Sequence, residues 1–173
     1  MAMITSAYAN KILKKLNDDK EYLRKMESEG CMYVAALDEE PVIPDYNYEQ
    51  VAAAIEEIDN QIVKIKHAIN LANLNSEIQV GDKTMTVDQI LIRMAQLNRR
   101  RATFDTMRKQ ETKKRLATSS YMARKTAPEY CYINYDLDVV KTDYERIDAE
   151  IAAMQIALDK YNQTFEFEVE VEI

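Results

Sequence analysis

Apolar residues recur every three or four positions along two long stretches of the chain. In the first stretch these positions are Val51, Ile55, Ile58, Ile62, Ile65, Ile69 and Ala72. In the second they are Leu137, Val140, Tyr144, Ile147, Ile151, Met154, Leu158 and Tyr161. Spacing that alternates between three and four residues places these side chains on one stripe of an α-helix, as in coiled coils. The pattern therefore predicts long helices over residues 48–75 and 136–162.

Two further helices are predicted from shorter patterns. Apolar residues at similar spacing between residues 5 and 28 predict the first helix of the chain, which Gly30 is expected to end. Thr86 with Gln89 matches a capping box and predicts a helix over residues 86–125. We call the stripe of positions spaced three or four residues apart the seam of a helix. The seam of this helix begins apolar and then becomes mostly charged. Its later positions are Arg101, Phe104, Arg108, Glu111 and Arg115.

Three segments have the character of β-structure. Residues 31–37 resemble a short strand, and Gly81-Asp82 between two short alternating runs predicts a hairpin. From Phe165 to Ile173 large apolar residues alternate with four glutamates, which is the period of a half-buried strand. Residues 31–37 are the expected partner of this last strand, in the same chain or in another copy.

Together these elements predict a mainly α fold. The chain has only 2 glycines and 3 prolines, which favours long uninterrupted helices. We expect one domain over residues 1–173, an elongated antiparallel helical bundle or coiled coil with a small hairpin and a C-terminal strand. Because the apolar stripes exceed what four helices can cover, we also expect a homo-oligomer. A dimer is favoured, and a tetramer or hexamer remains open.

Several classes of function lack a sequence signal. No apolar stretch approaches the roughly 20 residues that cross a bilayer, and the start of the chain lacks the apolar core of a signal peptide. Cys31 and Cys131 stand apart, as reduced thiols of a cytoplasmic protein do. His67 is the single histidine, and no Gly-rich phosphate loop or metalloprotease motif occurs. We therefore expect no enzyme activity, no metal, no cofactor and no membrane partner.

Charge is distributed very unevenly. Between Arg93 and Lys125 there are eleven basic and two acidic side chains, a net charge of +9. The whole chain carries −7, so the remaining residues carry −16. The basic segment therefore needs an anionic partner, either an acidic part of this chain or of a second copy, or an anionic ligand.

Arginine binds phosphate and carboxylate groups with two parallel hydrogen bonds, so a small nucleotide-like anion is one candidate partner. In that interpretation Asn98 and Tyr121 supply specificity. Asn70 and Asn73 share a helix face and either contact the ligand or cap the helix. The arginines that would neutralise the ligand are Arg93, Arg100, Arg101, Arg108 and Arg115.

In the alternative interpretation, carboxylates of a neighbouring helix neutralise the arginines. The candidate partners are Glu56, Glu57, Asp59, Glu145 and Asp148. A third possibility is a solvated basic face. Nucleic acid is disfavoured because the chain as a whole is acidic and lacks a recognised nucleic-acid-binding motif.

Several short motifs are similar to those of a coiled-coil family of bacteria and phages often labelled septicolysin-like. They occur in the family's order: Ile69-Asn70 with Asn73 and Asn75, residues 80–87, residues 97–101, residues 151–155 and residues 159–164. Tyr161 stands where the resemblance implies a tryptophan. The resemblance implies a coiled-coil fold. The family label implies a haemolysin, but no residue pattern here indicates membrane lysis.

The sequence thus leaves two hypotheses for function. The first is a non-enzymatic oligomer that binds or sequesters a nucleotide-like anion, for example a phage protein that removes a host signalling nucleotide. The second is a structural or protein-interaction coiled coil without a small-molecule ligand.

Overall fold

The computed structural model describes residues 1–116 and 127–170. This part of the chain is mainly helical, with short strands that pair two by two. In chain order its elements are β1 (Ala2–Thr5), α1 (Ser6–Gly30), α2 (Tyr48–Asn75), β2 (Glu77–Val80), β3 (Lys83–Thr86), α3 (Val87–Met107), β4 (Lys113–Arg115), β5 (Tyr130–Tyr132), α4 (Leu137–Thr164) and β6 (Glu166–Val169).

The described residues divide into two compact units. Residues 1–78 and 158–170 form the first unit, and residues 79–116 and 127–157 form the second. Helix α4 contributes to both, because it begins in the second unit and ends in the first.

The first unit is built on the pair of helices α1 and α2. Their facing side chains surround a core that also receives the apolar side of a two-stranded sheet. The buried residues of this core are Ile4, Ala9, Leu13, Ile62, Ile65, Phe167 and Val169. The isoleucine seam predicted for the second helix thus provides part of the core, as burial of apolar area requires.

Strand β6 pairs with β1, and the prediction that residues 31–37 supply its partner is wrong. The two strands are antiparallel, with Ile4 opposite Phe167. Residues 31–37 contain no strand, and Val34 and Leu37 are 98% and 105% exposed. The physical reason is that Ile4 reaches the core beside Phe167 and Val169, whereas residues 31–37 bury no large side chain there.

A hairpin, whose first strand begins at the end of the first unit, leads directly into α3. Strands β2 and β3 pair across a turn where Gly81 has a φ of 58°, a conformation that favours glycine. Thr86 and Gln89 form the predicted capping box, since each side chain accepts a hydrogen bond from the other residue's backbone N–H. The helix therefore begins where the sequence indicated.

Helix α3 ends at Met107, so the predicted helix over residues 86–125 is too long. After Phe104 the seam positions are charged, and a longer helix would bury no further apolar stripe there. The Tyr135 hydroxyl donates a hydrogen bond to the carbonyl of Met107 at 2.8 Å, which satisfies one terminal acceptor. Residues 113–115 instead form β4, which pairs antiparallel with β5. Residues 117–125 lie outside the described part of the chain.

Helix α4 follows the predicted heptad closely. The Asp136 carboxylate accepts hydrogen bonds from the backbone N–H groups of Asp138 and Val139, which caps the start of the helix. The seam residues buried along its length are Val140, Ile147, Ile151, Met154, Leu158 and Tyr161. Within the described residues, no helix combines the length and the apolar content that a bilayer span requires.

The core of the first unit generates a stability prediction. Ile65 is fully buried, so Ile65→Ala leaves a cavity and should lower the free energy of unfolding by about 2–5 kcal/mol. Lys66, the next residue on α2, is exposed, so Lys66→Ala is the control and should change it by less than about 0.5 kcal/mol. Urea unfolding followed by circular dichroism measures both. Equal losses in the two variants would contradict the packing of α2.

Candidate functional site

Two ion pairs join α3 to α4. Arg101 Nη1 donates a hydrogen bond to Asp148 Oδ1 at 2.7 Å, and Arg93 Nε donates one to Glu150 Oε1 at 3.2 Å. Asp148 was among the acidic partners that the sequence suggested, whereas Glu150 was not. Each of these four side chains is partly exposed, so water screens the pairs and each contributes modestly to stability.

Arg108 is neutralised within its own segment. It donates to Asp105 Oδ1 from Nε and Nη2, at 2.9 and 2.7 Å, and Lys109 donates to the other oxygen of the same carboxylate. The Arg108 guanidinium carbon also lies 4.0 Å from the centre of the Tyr144 ring, a cation–π contact with α4. Hydrogen bonds from Lys109 and then from Arg108 hold the pKa of Asp105 below its ordinary value. Asp105 in turn raises the pKa of Arg108.

A groove with a volume of about 370 Å³ lies between α3 and α4 in the second unit. Its walls combine three arginines with apolar side chains from both helices. The lining residues are Arg93, Gln96, Leu97, Arg100 and Phe104 from α3, and Asp143, Arg146 and Ile147 from α4. Of the predicted arginines, Arg93 and Arg100 therefore share this groove, and Arg101 and Arg108 do not line it.

The three guanidinium groups of the groove differ in how they are neutralised. Arg93 contacts Glu150, and Arg146 donates to Asp143 at 2.9 and 3.3 Å. Arg100 lies 4.2 Å above the centre of the Phe104 ring and forms no ion pair with any residue in ranges 1–116 and 127–170. The Arg100 guanidinium is thus available to a carboxylate or phosphate from outside.

The remaining predicted residues are placed elsewhere. The Asn98 side chain donates a hydrogen bond to the Met94 carbonyl at 3.0 Å, so it is engaged with its own helix. Arg115 is exposed on β4 opposite Tyr130. Asn70 and Asn73 belong to α2 in the first unit, and Tyr121 lies outside the described residues.

Six of the eight groove residues, among them Phe104 and Arg146, were missing from the predicted ligand site. Phe104 was assigned to the seam alone, and Arg146 was not considered because it lies outside the basic segment. Arg146 directly precedes the seam residue Ile147, so its side chain flanks the apolar stripe. A search of the positions beside each seam, rather than of the seams themselves, could have found it.

Comparison with known proteins gives a likeness of fold. No family model matches the sequence, and no curated protein sequence matches it. A crystal structure of a functionally unknown conserved protein from Corynebacterium diphtheriae is similar, with a TM-score of 0.66 and 17% sequence identity. The match covers 96% of this chain and 100% of that one. At this identity the likeness supports the mainly helical architecture and nothing about a ligand.

The contacts of Asp105 generate a prediction of pH dependence. Because the pKa of folded Asp105 lies below its ordinary value of 3.8, its ion pairs stabilise the fold above that pH. This stabilisation is lost as the pH falls through the folded pKa. Asp105→Asn should therefore be less stable than the wild type at pH 7, with a difference that shrinks toward pH 3 in urea unfolding.

A site-specific titration provides the control. Nuclear magnetic resonance of the Asp105 carboxyl carbon should give a pKa below 3.8 in the wild type, and Lys109→Gln should raise it because one hydrogen bond to the carboxylate is removed. A wild-type pKa at or above 3.8 would contradict the described contacts.

Proposed function

We propose that the second unit binds a small anion carrying phosphate or carboxylate groups in the groove between α3 and α4. The observation that carries this proposal is Arg100, a groove guanidinium without a carboxylate partner among the described residues. Three arginines and one aspartate give the lining a net charge of +2. Such a surface attracts an anion, and the fork of donors on arginine matches the geometry of phosphate oxygens.

The size and shape of the groove favour a nucleotide-like ligand. A volume of about 370 Å³ is at the lower end of ordinary ligand sites, which suits one nucleotide better than a polymer. The Arg100 guanidinium is stacked on Phe104, and guanidinium planes also stack on bases. A base can therefore lie over Arg100 while Arg93 or Arg146 contacts a phosphate.

We favour binding without turnover. The lining offers guanidinium groups, one amide and apolar side chains, and Asp143, its one carboxylate, contacts Arg146. These groups bind and orient an anion. We therefore propose that the protein sequesters a nucleotide; that it is a phage protein acting on a signalling nucleotide is a further part of this proposal, which rests on the septicolysin-like resemblance of the sequence.

Self-association is part of the same proposal. Large apolar side chains remain exposed on the outer faces of three helices, and monomers rarely expose many of these together. They include Val63 and Leu74 on α2, Leu91 and Ile92 on α3, and Val139 and Ile156 on α4. Packing of these faces against a second copy, as in a coiled coil, would bury them.

A structural role without a ligand is the second candidate. The ion pairs of Arg93 with Glu150 and of Arg101 with Asp148 favour it, because they show basic residues of α3 neutralised by α4. In that case the basic segment contributes to helix pairing alone.

Thermal unfolding in the presence of nucleotides tests the first proposal. Among nucleoside mono-, di- and triphosphates and cyclic dinucleotides at millimolar concentration, at least one should raise the melting temperature by about 2 °C or more. Arg100→Glu should abolish this shift, since it replaces the free cation with a repelling charge. Arg99→Glu is the matched control, because Arg99 is exposed on the same helix and does not line the groove. No shift with any nucleotide, or equal loss in both variants, would contradict the proposal.

A double-mutant cycle tests the structural candidate separately. Replacing Arg101 and Asp148 by alanine, singly and together, should reveal a coupling of about 0.2–1 kcal/mol in the free energy of unfolding, as exposed ion pairs do. Nucleotide binding should survive Arg101→Ala, because Arg101 does not line the groove. Loss of binding in Arg101→Ala with the fold intact would place the ligand on the other side of α3.

A further inference from the structure

The strands β4 and β5 form an exposed antiparallel ribbon, which we call the basic ribbon. Lys113 is opposite Tyr132, Lys114 is opposite Cys131, and Arg115 is opposite Tyr130. All residues of both strands are exposed. Because alternate residues of a strand point to opposite faces, Lys113, Arg115 and the two tyrosines share one face. The contacts agree, since Lys113 Nζ lies 4.2 Å from the Tyr130 ring centre and 5.5 Å from that of Tyr132.

The cations of the basic ribbon lack acidic partners in the described part of the chain. Lys113, Lys114 and Arg115 form no ion pair with any residue of ranges 1–116 and 127–170. Tyr132 is 61% exposed, so an apolar ring surface lies beside these charges. The shared face therefore presents two cations and two aromatic rings to a partner that is anionic and partly apolar.

A surface of this chemistry occurs on the first unit. Along β6, Glu166 and Glu168 are exposed while Phe167 and Val169 are buried, so the glutamates share the outer face. Glu170 is also exposed beyond the strand. Glu166, Glu168 and Glu170 border a groove with a volume of about 640 Å³, which we call the acidic groove. Its lining also includes the exposed apolar side chains of Leu71 and Phe165, and one lysine, Lys64, which the three glutamates outnumber.

The basic ribbon and the acidic groove match in the spacing of their charges. Strand residues rise about 3.4 Å each, so two positions along a strand are separated by about 6.8 Å. Lys113 and Arg115 are therefore spaced like Glu166 and Glu168. Contact between them would place the tyrosines of the ribbon near Leu71 and Phe165.

The charges of the two units favour a second copy of the chain as the partner. Residues 79–157 contain 14 basic and 11 acidic side chains, a net charge of +3. Since the whole chain carries −7, the remaining residues carry −10. Nucleic acid is negative throughout and has nothing to offer the negative first unit, whereas a second copy offers a positive unit to each negative one.

We propose that the basic ribbon of one copy docks in the acidic groove of a second copy, with Lys113 and Arg115 against the glutamates of β6. In a two-fold dimer each copy both donates its ribbon and receives one, which leaves no open end. This inference rests on the proposed self-association and adds a charged contact to the apolar helix faces named there.

Charge reversal tests the contact. In sedimentation velocity at low ionic strength, the wild type should have the mass of a dimer. Added salt should weaken this dimer. Lys113→Glu with Arg115→Glu should raise the dissociation constant by about tenfold or more, and so should Glu166→Lys with Glu168→Lys. An equimolar mixture of the two double variants should restore the dimer, because each then meets an opposite charge. Lys114→Glu, on the other ribbon face, is the control and should change the constant by less than about threefold.

The outcomes separate this inference from the self-association on which it rests. A wild type with the mass of one copy at every concentration would overturn both. A dimer that persists in either double variant, or a mixture that fails to restore it, would overturn the ribbon contact alone. If circular dichroism shows that Lys113→Glu with Arg115→Glu is unfolded, Lys113→Gln with Arg115→Gln replaces it and should still weaken the dimer. A different result would assign the ribbon to nucleic acid. In that case a single-stranded oligonucleotide binds the wild type but not the variant without Lys113 and Arg115, and the variant still dimerises as the wild type does.

Discussion

A guanidinium group beside an apolar helix seam needs an acceptor to the extent that the closing helices withdraw it from water, and here the arginines stay partly exposed. The second unit meets this requirement on both sides of the seam formed by Leu97, Phe104 and Ile147. Glu150 and Asp148 on α4 accept from arginines of α3, and Asp105 holds Arg108 against its own segment. Arg100 has no carboxylate partner in the described part of the chain; its guanidinium lies over the Phe104 ring and can still bind an external anion. The candidate ligand site is thus the part of the helix interface whose charge the described chain does not balance.

The same requirement accounts for the end of α3. Its seam is apolar to Leu97 and is then charged at every position except Phe104, so further helical turns would gain charge and little burial. The chain instead leaves the helix after Met107, where Tyr135 satisfies a carbonyl, and continues into the exposed ribbon of β4 and β5. The distribution of charge therefore shapes both the groove, where cations lie against α4, and the ribbon, where they face outward.

Much of the helical architecture could be predicted from the sequence because helix periodicity and capping are local signals. The seams of α2 and α4 and the capping box at Thr86 depend on residues within a few positions of each other. The partner of β6 could not be predicted in this way. Strand pairing is set by the core that both strands share, and Ile4 alone in a four-residue strand gives little period. The sequence prediction named two residues of the candidate groove, Arg93 and Arg100, but a heptad count that assigns Arg101 to the seam does not reveal that Asp148 neutralises it, nor that Arg100 has no ion pair within the described residues. Arg146 was missed because its role depends on which side of α4 faces α3.

Diffraction from crystals soaked in pyrophosphate locates an anion among the arginines without assuming which nucleotide is bound. We expect density for the anion in the groove between α3 and α4, within hydrogen-bond distance of Arg100 and of at least one of Arg93 and Arg146, with the pair of Arg101 and Asp148 unchanged. An anion bound at Arg101 after displacement of Asp148, or a groove in which Arg100 contacts a carboxylate of the protein and no anion is present, would contradict this expectation.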